Sequence, residues 1–175
     1  MDNIYIVILA FIAIYVFGQF FQDRTPIPET SGNVFKIAKA EELDAVLSST
    51  THVVVDFYAD WCPPCRAIAP IFSKLADAHT TKNQLAFAKV NVDHVKNVSA
   101  RYGVSAMPTF VIFQKGAPTG VAVKGLEGRQ SVTVTADGLV NRIRGADRVA
   151  LEAVVATLVA RIEGPSDAGA SEEKQ

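Results

Sequence analysis

Residues 52–65 have the sequence HVVVDFYADWCPPC, the most informative pattern in the chain. Its first half is a nearly continuous apolar run rich in β-branched residues, which predicts a central strand covered on both faces. Its second half places Cys62 and Cys65 at the start of an amphipathic helix. That helix is predicted over residues 63–78 from the helical spacing of Ile68, Ile71, Phe72 and Leu75. The two cysteines therefore lie where a buried strand passes into a helix.

The flanking residues alternate between predicted strands and predicted helices. Short apolar runs predict strands, and apolar residues at helical spacing predict helices. This order predicts an α/β sandwich around one mixed sheet. The further strands are predicted over residues 34–37, 85–91, 110–114 and, at a sheet edge, 140–143, and the further helices over residues 40–47, 95–102 and 151–162.

The composition excludes several classes of protein. The 175 residues suit one globular domain, and a formal net charge of −1 gives no bulk attraction to nucleic acid, so no nucleic-acid partner is expected. Two cysteines are too few for a multi-disulfide secreted scaffold. No histidine is spaced to complete a zinc site, and Arg66 stands where haem attachment requires a histidine. The residues therefore favour neither a zinc site nor haem attachment.

The N-terminal segment predicts a membrane anchor. No charged residue occurs from Asn3 to Gln22, and a helix over residues 3–22 would span about 30 Å, the thickness of the hydrocarbon core of a bilayer. We predict one transmembrane helix within residues 1–24, followed by a linker over residues 25–33 that is rich in Pro, Gly and Ser. The alternatives are a buried core helix and a cleaved signal peptide, which would release a soluble enzyme.

The basic residues around this segment predict its orientation. Arg24, Lys36 and Lys39 follow it, and no Lys or Arg precedes it. By the positive-inside rule, this predicts a single-pass membrane protein whose C-terminal domain lies in the cytosol. A luminal or secreted location stays open.

The cysteine pair predicts thiol-disulfide chemistry. Residues at i and i+3 lie on one face of a helix, close enough for a disulfide, whose Cα atoms are about 4.4–6.8 Å apart. Cys62 would lie at the helix N-terminus, where free amides and the helix dipole stabilise a thiolate, so it is the predicted nucleophile. Cys65, one turn inside, would resolve a mixed disulfide by attacking Cys62.

The segment from Val55 to Cys65 resembles the active-site segment of the thioredoxin family, and further motifs of that family follow in the same order. The resemblance runs from about residue 33 to residue 163. It implies a thioredoxin-like three-layer sandwich over residues 34–163. It also implies a protein-disulfide reductase that acts on disulfide-containing proteins and is regenerated by a reductase. The resemblance implies no metal and no bound organic cofactor.

The resemblance also implies roles for individual residues. Asp56 matches the buried aspartate that helps proton transfer to and from Cys65, and Lys89 matches the lysine beside it. Because Asp56 lies in an apolar strand, burial should raise the pKa of its carboxyl, and pairing with Lys89 would reduce that effect. Met107, Pro108 and Thr109 match the family's cis-proline segment, which faces the cysteines and pairs with the substrate backbone. Gly145 matches a glycine of the substrate groove. For Pro108 the alternative is an ordinary trans turn.

Three residues around the cysteines are expected to support the site. Trp61 would offer an aromatic surface for protein docking. Pro63 and Pro64 replace the Gly-Pro pair that is usual in the family, as in tryparedoxins and nucleoredoxins. Neither proline has an N–H, so fewer donors near Cys62 should change its redox potential, in a direction that the sequence does not give.

Residues 118–138 depart most from the family, whose last two strands are joined by a tight hairpin. Alternating residues over 121–124 and 132–135 predict an extended hairpin. The alternative is a gene-model error in which a short intron is retained in frame, and sequencing the transcript distinguishes the two. Residues 164–175 are small and charged, which predicts a disordered tail.

Together these features predict a membrane-tethered thiol-disulfide oxidoreductase that cycles the Cys62–Cys65 pair between dithiol and disulfide. Its membrane contact would be made by residues 3–22. One alternative is a redox-inactive, thioredoxin-like docking module. The other is a luminal disulfide oxidase or isomerase, because the direction of exchange depends on the potential of the compartment.

Overall fold

The structure, a computed structural model, describes residues 2–20, 25–28 and 32–164. Its helices are α1 (Asp2–Phe20), α2 (Ala40–Ser49), α3 (Pro63–His79), α4 (Lys96–Arg101) and α5 (Arg148–Glu163). Its strands are β1 (Val34–Ile37), β2 (His52–Tyr58), β3 (Leu85–Asn91), β4 (Thr109–Gln114), β5 (Ala117–Pro118), β6 (Val132–Val134) and β7 (Val140–Arg144). Apart from Gly164, the predicted tail over residues 164–175 lies outside the described residues.

The strands form one mixed sheet in the order β1-β3-β2-β4-β7-β6, with β5 paired to β4. Strands β1, β3 and β2 are parallel, and β4, β7 and β6 are joined to them by antiparallel pairs. The prediction of a central β2 is confirmed. The prediction that residues 140–143 form an edge strand is wrong, because β6 pairs with the outer side of β7.

Apolar side chains are buried on both faces of the sheet. On one face, Val54 of β2 belongs to a core with residues of α3 and α5, including Phe72 and Leu151. On the other face, Val55 belongs to a core with residues of α2 and α4. All seven residues of β2 are buried, as expected for a strand covered on both sides. The predicted arrangement of helices on both faces of a mixed sheet is confirmed.

Helix α1 does not support the predicted membrane anchor. Within the described ranges, no helix combines the length and the apolar character needed to cross a bilayer. The uninterrupted apolar stretch of α1, residues 4–17, covers only about 21 Å at about 1.5 Å per residue, against about 30 Å of hydrocarbon. The predictions of a transmembrane helix, of membrane contact through residues 3–22 and of a single-pass membrane location are therefore corrected. The orientation inferred for that anchor loses its basis as well.

Residues 25–28 of the predicted linker lie against the globular domain. Ile27 is buried in a cluster that also contains Tyr58 and both cysteines. The N–H of Ile27 donates to Asp60 Oδ1 at 3.1 Å, and the Arg66 guanidinium donates to the Thr25 carbonyl. This segment therefore packs beside the end of β2 from which the cysteine loop leaves.

Residues 118–138 are packed into the domain, although their strand pairing differs from the predicted hairpin. Val121 makes a single bridge to Val140, and residues 122–124 form no strand. The second predicted strand forms as β6 and pairs with β7. Val121 and Leu126 are 0% and 4% exposed, and they join the core formed with α3 and α5. This burial favours a folded insertion over an insert without a core pattern.

Candidate active site

The two cysteines lie between the end of β2 and the first turn of α3. Cys62 is the residue that caps α3, and its Cα lies 5.3 Å from that of Cys65. The two form a disulfide, as the spacing predicts, and both are buried. The structure therefore holds the oxidised form of the pair.

Because of the two prolines, the Cys65 amide is the first N–H of α3 that can donate to the Cys62 sulfur. Pro63 and Pro64 occupy the first two helical positions, where neither can donate a hydrogen bond. The Cys65 N–H, at the third position, donates to Cys62 Sγ at 3.2 Å. The helix start thus directs a backbone dipole at this sulfur, which favours negative charge there when the disulfide is opened.

Asp56 lies within β2, opposite Lys89 on the parallel strand β3. It is 3% exposed, and its Oδ1 has no hydrogen-bond partner among the described residues. Burial raises the pKa of Asp56 to about 7, and the charge of Lys89 acts in the opposite direction. The shift has the predicted direction. A carboxyl with this pKa exchanges a proton near neutral pH.

The peptide bond between Met107 and Pro108 is cis, as the resemblance implied. Met107 packs against the cluster that contains Cys62 and Cys65. The Gly145 N–H donates to the Pro108 carbonyl at 2.7 Å, which joins the loop before β4 to the loop after β7. Thr109 is the first residue of β4 and is paired with Arg144. The four residues predicted for a substrate groove therefore lie together, and Met107 among them packs against the cluster around the disulfide.

Trp61 is half-buried next to the cysteines. It packs against the cluster around the disulfide, and its Nε1 donates to Asp93 Oδ2 at 2.7 Å. The hydrogen bond fixes the indole against the loop that follows β3. Part of the ring thus supports the active-site loop, and the rest faces solvent.

The polar residues that hold this loop in place could not be predicted from the sequence. Asp60 accepts from Asn91 Nδ2 at 2.8 Å as well as from the N–H of Ile27, and Asp93 holds Trp61. Asn91 and Asp93 lie about thirty positions away in the sequence, at and just beyond the end of β3. No periodicity links them to Trp61, because only the parallel pairing of β2 with β3 brings the two strand ends together.

A family model and individual relatives match this chain. The family model for thioredoxin matches residues 33–137. A thioredoxin-like protein of Fusarium culmorum is 51% identical over 100 residues, which cover 55% of this chain and 83% of the relative. A thioredoxin of Neurospora crassa is 50% identical over 95 residues, covering 54% of this chain and 73% of the relative.

Solved structures give the same match. The crystal structure of a thioredoxin from Malassezia sympodialis is 29% identical and covers 76% of this chain and 96% of its own, with a TM-score of 0.55. The X-ray structure of a thioredoxin from Fasciola hepatica is 31% identical and covers 70% of this chain and 97% of its own, with a TM-score of 0.53. These structures share the mixed-sheet fold described above.

Proposed function

Because the chain belongs to the thioredoxin family and is a thiol-disulfide oxidoreductase of that type, we propose that it reduces disulfide bonds in partner proteins. The observation that carries this proposal is the Cys62–Cys65 disulfide at the start of α3, next to the loop that holds Met107 and Pro108. A dithiol at this position would have its nucleophile beside a backbone segment that an extended substrate can pair with.

The first step uses the reduced form of the pair. The Cys62 thiolate attacks one sulfur of the substrate disulfide, so a Cys62–substrate bond forms and the substrate S–S bond breaks. The other substrate sulfur leaves as a thiolate and takes a proton from solvent. The amide of Cys65, directed at the Cys62 sulfur, supports the nucleophile in this step.

The second step releases the substrate. Cys65 loses its proton and attacks the Cys62 sulfur, which forms the intramolecular disulfide and expels the second substrate thiolate. In our proposal Asp56 accepts the proton of Cys65, directly or through water, and Lys89 adjusts its proton affinity. Two electrons have then passed from the dithiol to the substrate. A reductase would return two electrons and two protons to the cysteine pair.

The proposed groove lies along Met107, Pro108 and Thr109, with Gly145 opposite. The Pro108 carbonyl is already engaged by the Gly145 N–H, which fixes the spacing of the two loops. Trp61 adds a partly exposed aromatic surface at the edge of the site. This arrangement favours polypeptide substrates in which the disulfide lies within an extended segment.

Reduction of insulin by the full-length protein tests the proposal. With dithiothreitol as the electron donor, the wild type should accelerate precipitation of the insulin B chain. Cys62→Ser should abolish the acceleration. Cys65→Ser that is reduced beforehand and mixed with insulin in the absence of dithiothreitol should stop at a mixed disulfide to Cys62, which mass spectrometry detects. A wild-type rate equal to that of dithiothreitol alone would reject the reductase function and favour a redox-inactive docking module.

A further inference from the structure

Asp147 connects the insertion to the loop that carries Gly145. Its carboxylate accepts two hydrogen bonds from the Arg129 guanidinium of the insertion, from Nε at 2.9 Å and from Nη2 at 3.0 Å. The Ser131 hydroxyl donates to the same carboxylate. Asp147 also caps α5, because its Oδ1 accepts from the Ala150 N–H at 3.1 Å. One carboxylate therefore joins the insertion to the first turn of α5.

A second contact fixes the other end of the same loop. The Arg144 N–H donates to the Ser131 carbonyl at 2.7 Å. Residues 144–147 are thus held by the insertion at both ends, while Gly145 between them donates to Pro108. Gly145 has a φ of +82°, a backbone conformation that favours glycine, so the loop has few steric restraints of its own.

We propose that Arg129 is a positioning residue that holds residues 144–147 in place and so preorganises the wall of the substrate groove opposite Pro108. This inference rests on the proposed reductase function. A loop that is already ordered loses less conformational entropy when a polypeptide binds, which strengthens binding without changing the sulfur chemistry. The effect is specific to substrates that occupy the groove.

We call the two hydrogen bonds from Arg129 to Asp147 the brace, and their geometry is suited to a permanent contact. The two-bond geometry matches the planar guanidinium to the carboxylate, and the Asp147 side chain is only 13% exposed. The hydrogen bonds from Arg129 lower the pKa of Asp147 to about 2, so the carboxylate stays charged across the neutral range. The brace should therefore act equally at every pH at which the enzyme works.

The test compares two disulfide substrates with the full-length protein. Insulin is a polypeptide that would occupy the groove, whereas 5,5′-dithiobis(2-nitrobenzoate) reaches Cys62 without a peptide backbone. Arg129→Gln should raise the KM for insulin about three- to tenfold at unchanged kcat. Its rate with the small disulfide should equal that of the wild type. Arg129→Lys keeps the positive charge but carries all its donors on a single nitrogen, so it cannot reproduce the two-nitrogen contact with Asp147 and should give an intermediate KM.

Arg148→Gln is the matched control. The Arg148 side chain forms an exposed ion pair with Glu152, one helical turn further along α5. Replacing Arg148 therefore removes no side-chain contact between the insertion and residues 144–147. This variant should behave as the wild type with both substrates. Ser131→Ala removes a single hydroxyl contact to Asp147 and should raise the KM for insulin by a smaller factor than Arg129→Gln does.

The outcomes separate the brace from the proposed function. A wild type that fails to reduce insulin rejects the reductase function itself. A wild type that is active, together with an Arg129→Gln variant whose insulin KM is unchanged or whose activity falls equally with both substrates, overturns the brace. If circular dichroism shows that Arg129→Gln is unfolded, Arg129→Lys and Ser131→Ala decide by the same comparison of the two substrates.

Discussion

Asp56 and Lys89 stand directly opposite each other on the two neighbouring parallel strands β2 and β3. Burial and the lysine charge act on the carboxyl in opposite directions, and the balance leaves the pKa of Asp56 at about 7. A carboxyl that loses its proton near neutral pH is suited to accept the proton of Cys65 in the resolving step. The proposed mechanism therefore predicts a rate of resolution that rises with pH through this range.

Replacing Lys89 should move this pH dependence. Lys89→Met removes a positive charge that lowers the pKa of Asp56, so the midpoint of the rise should move above about 7. Single-turnover reduction of insulin, followed from about pH 5 to about pH 9, measures the midpoint. Lys36→Met is the control. Lys36 lies on β1, in register with Lys89 on β3, but its charge is not among the causes of the shift in the pKa of Asp56. A midpoint that is unchanged or lower in Lys89→Met would contradict the assigned role.

The raised pKa of Asp56 should also cost stability as pH rises. The Asp56 carboxyl binds its proton more tightly in the folded protein than in the unfolded chain, because its pKa is about 7 in the fold against an ordinary value of 3.8. The free energy of unfolding of the wild type should therefore fall between about pH 4 and about pH 7. In Asp56→Asn this contribution is absent, and relative to the wild type the variant should gain up to about 4 kcal/mol across that window.

Urea unfolding of the oxidised protein at several pH values measures this difference. Asp137→Asn serves as the control, since it makes the same substitution at an exposed position. A difference between Asp56→Asn and the wild type that stays constant with pH would show that Asp56 does not titrate in this window.

The second proline should restrain the reactivity of Cys62. Side chains that cap a helix accept from the amides of the second and third helical positions, and here the second position is Pro64. Pro64→Ala would add a donor toward the Cys62 sulfur, so the midpoint of its alkylation by iodoacetamide should move to lower pH by about 0.5 to 1 unit. Pro63→Ala adds an amide at the first position, which does not face the cap, and should leave the midpoint near the wild-type value. Equal midpoints in all three proteins would contradict this account.

The sequence predicted the parts of the site that depend on local patterns. The apolar run of β2, the spacing of Cys62 and Cys65, and the helix that follows are local, and each forms as expected. The roles of Asp56 and Lys89 follow from the resemblance to the family and not from a local pattern. Their alignment follows from the register of β2 with β3, which a single strand pattern does not determine.

The features that the sequence did not predict depend on tertiary contacts. Val132–Val134 is too short to show which strand it pairs with, and its register with β7 contains an irregularity, so the outer position of β6 could not be inferred. The pairing of Arg129 with Asp147 joins residues 18 positions apart that have no shared periodicity. For α1, the absence of charge over residues 3–22 predicts a membrane anchor, but the uninterrupted apolar stretch, residues 4–17, is shorter than the hydrocarbon core, so that prediction is wrong.

Leu126 tests whether the insertion is part of the folded core. It is 4% exposed and lies in the core formed with α3 and α5, so Leu126→Ala should lower the free energy of unfolding by about 2–4 kcal/mol. Val134, in the same insertion, is 54% exposed, and Val134→Ala should change the stability by less than about 0.5 kcal/mol. Urea unfolding monitored by Trp61 fluorescence measures both. Equal, small effects would mean that residues 118–138 do not pack as described, because only a side chain inside the core loses its contacts when it is shortened.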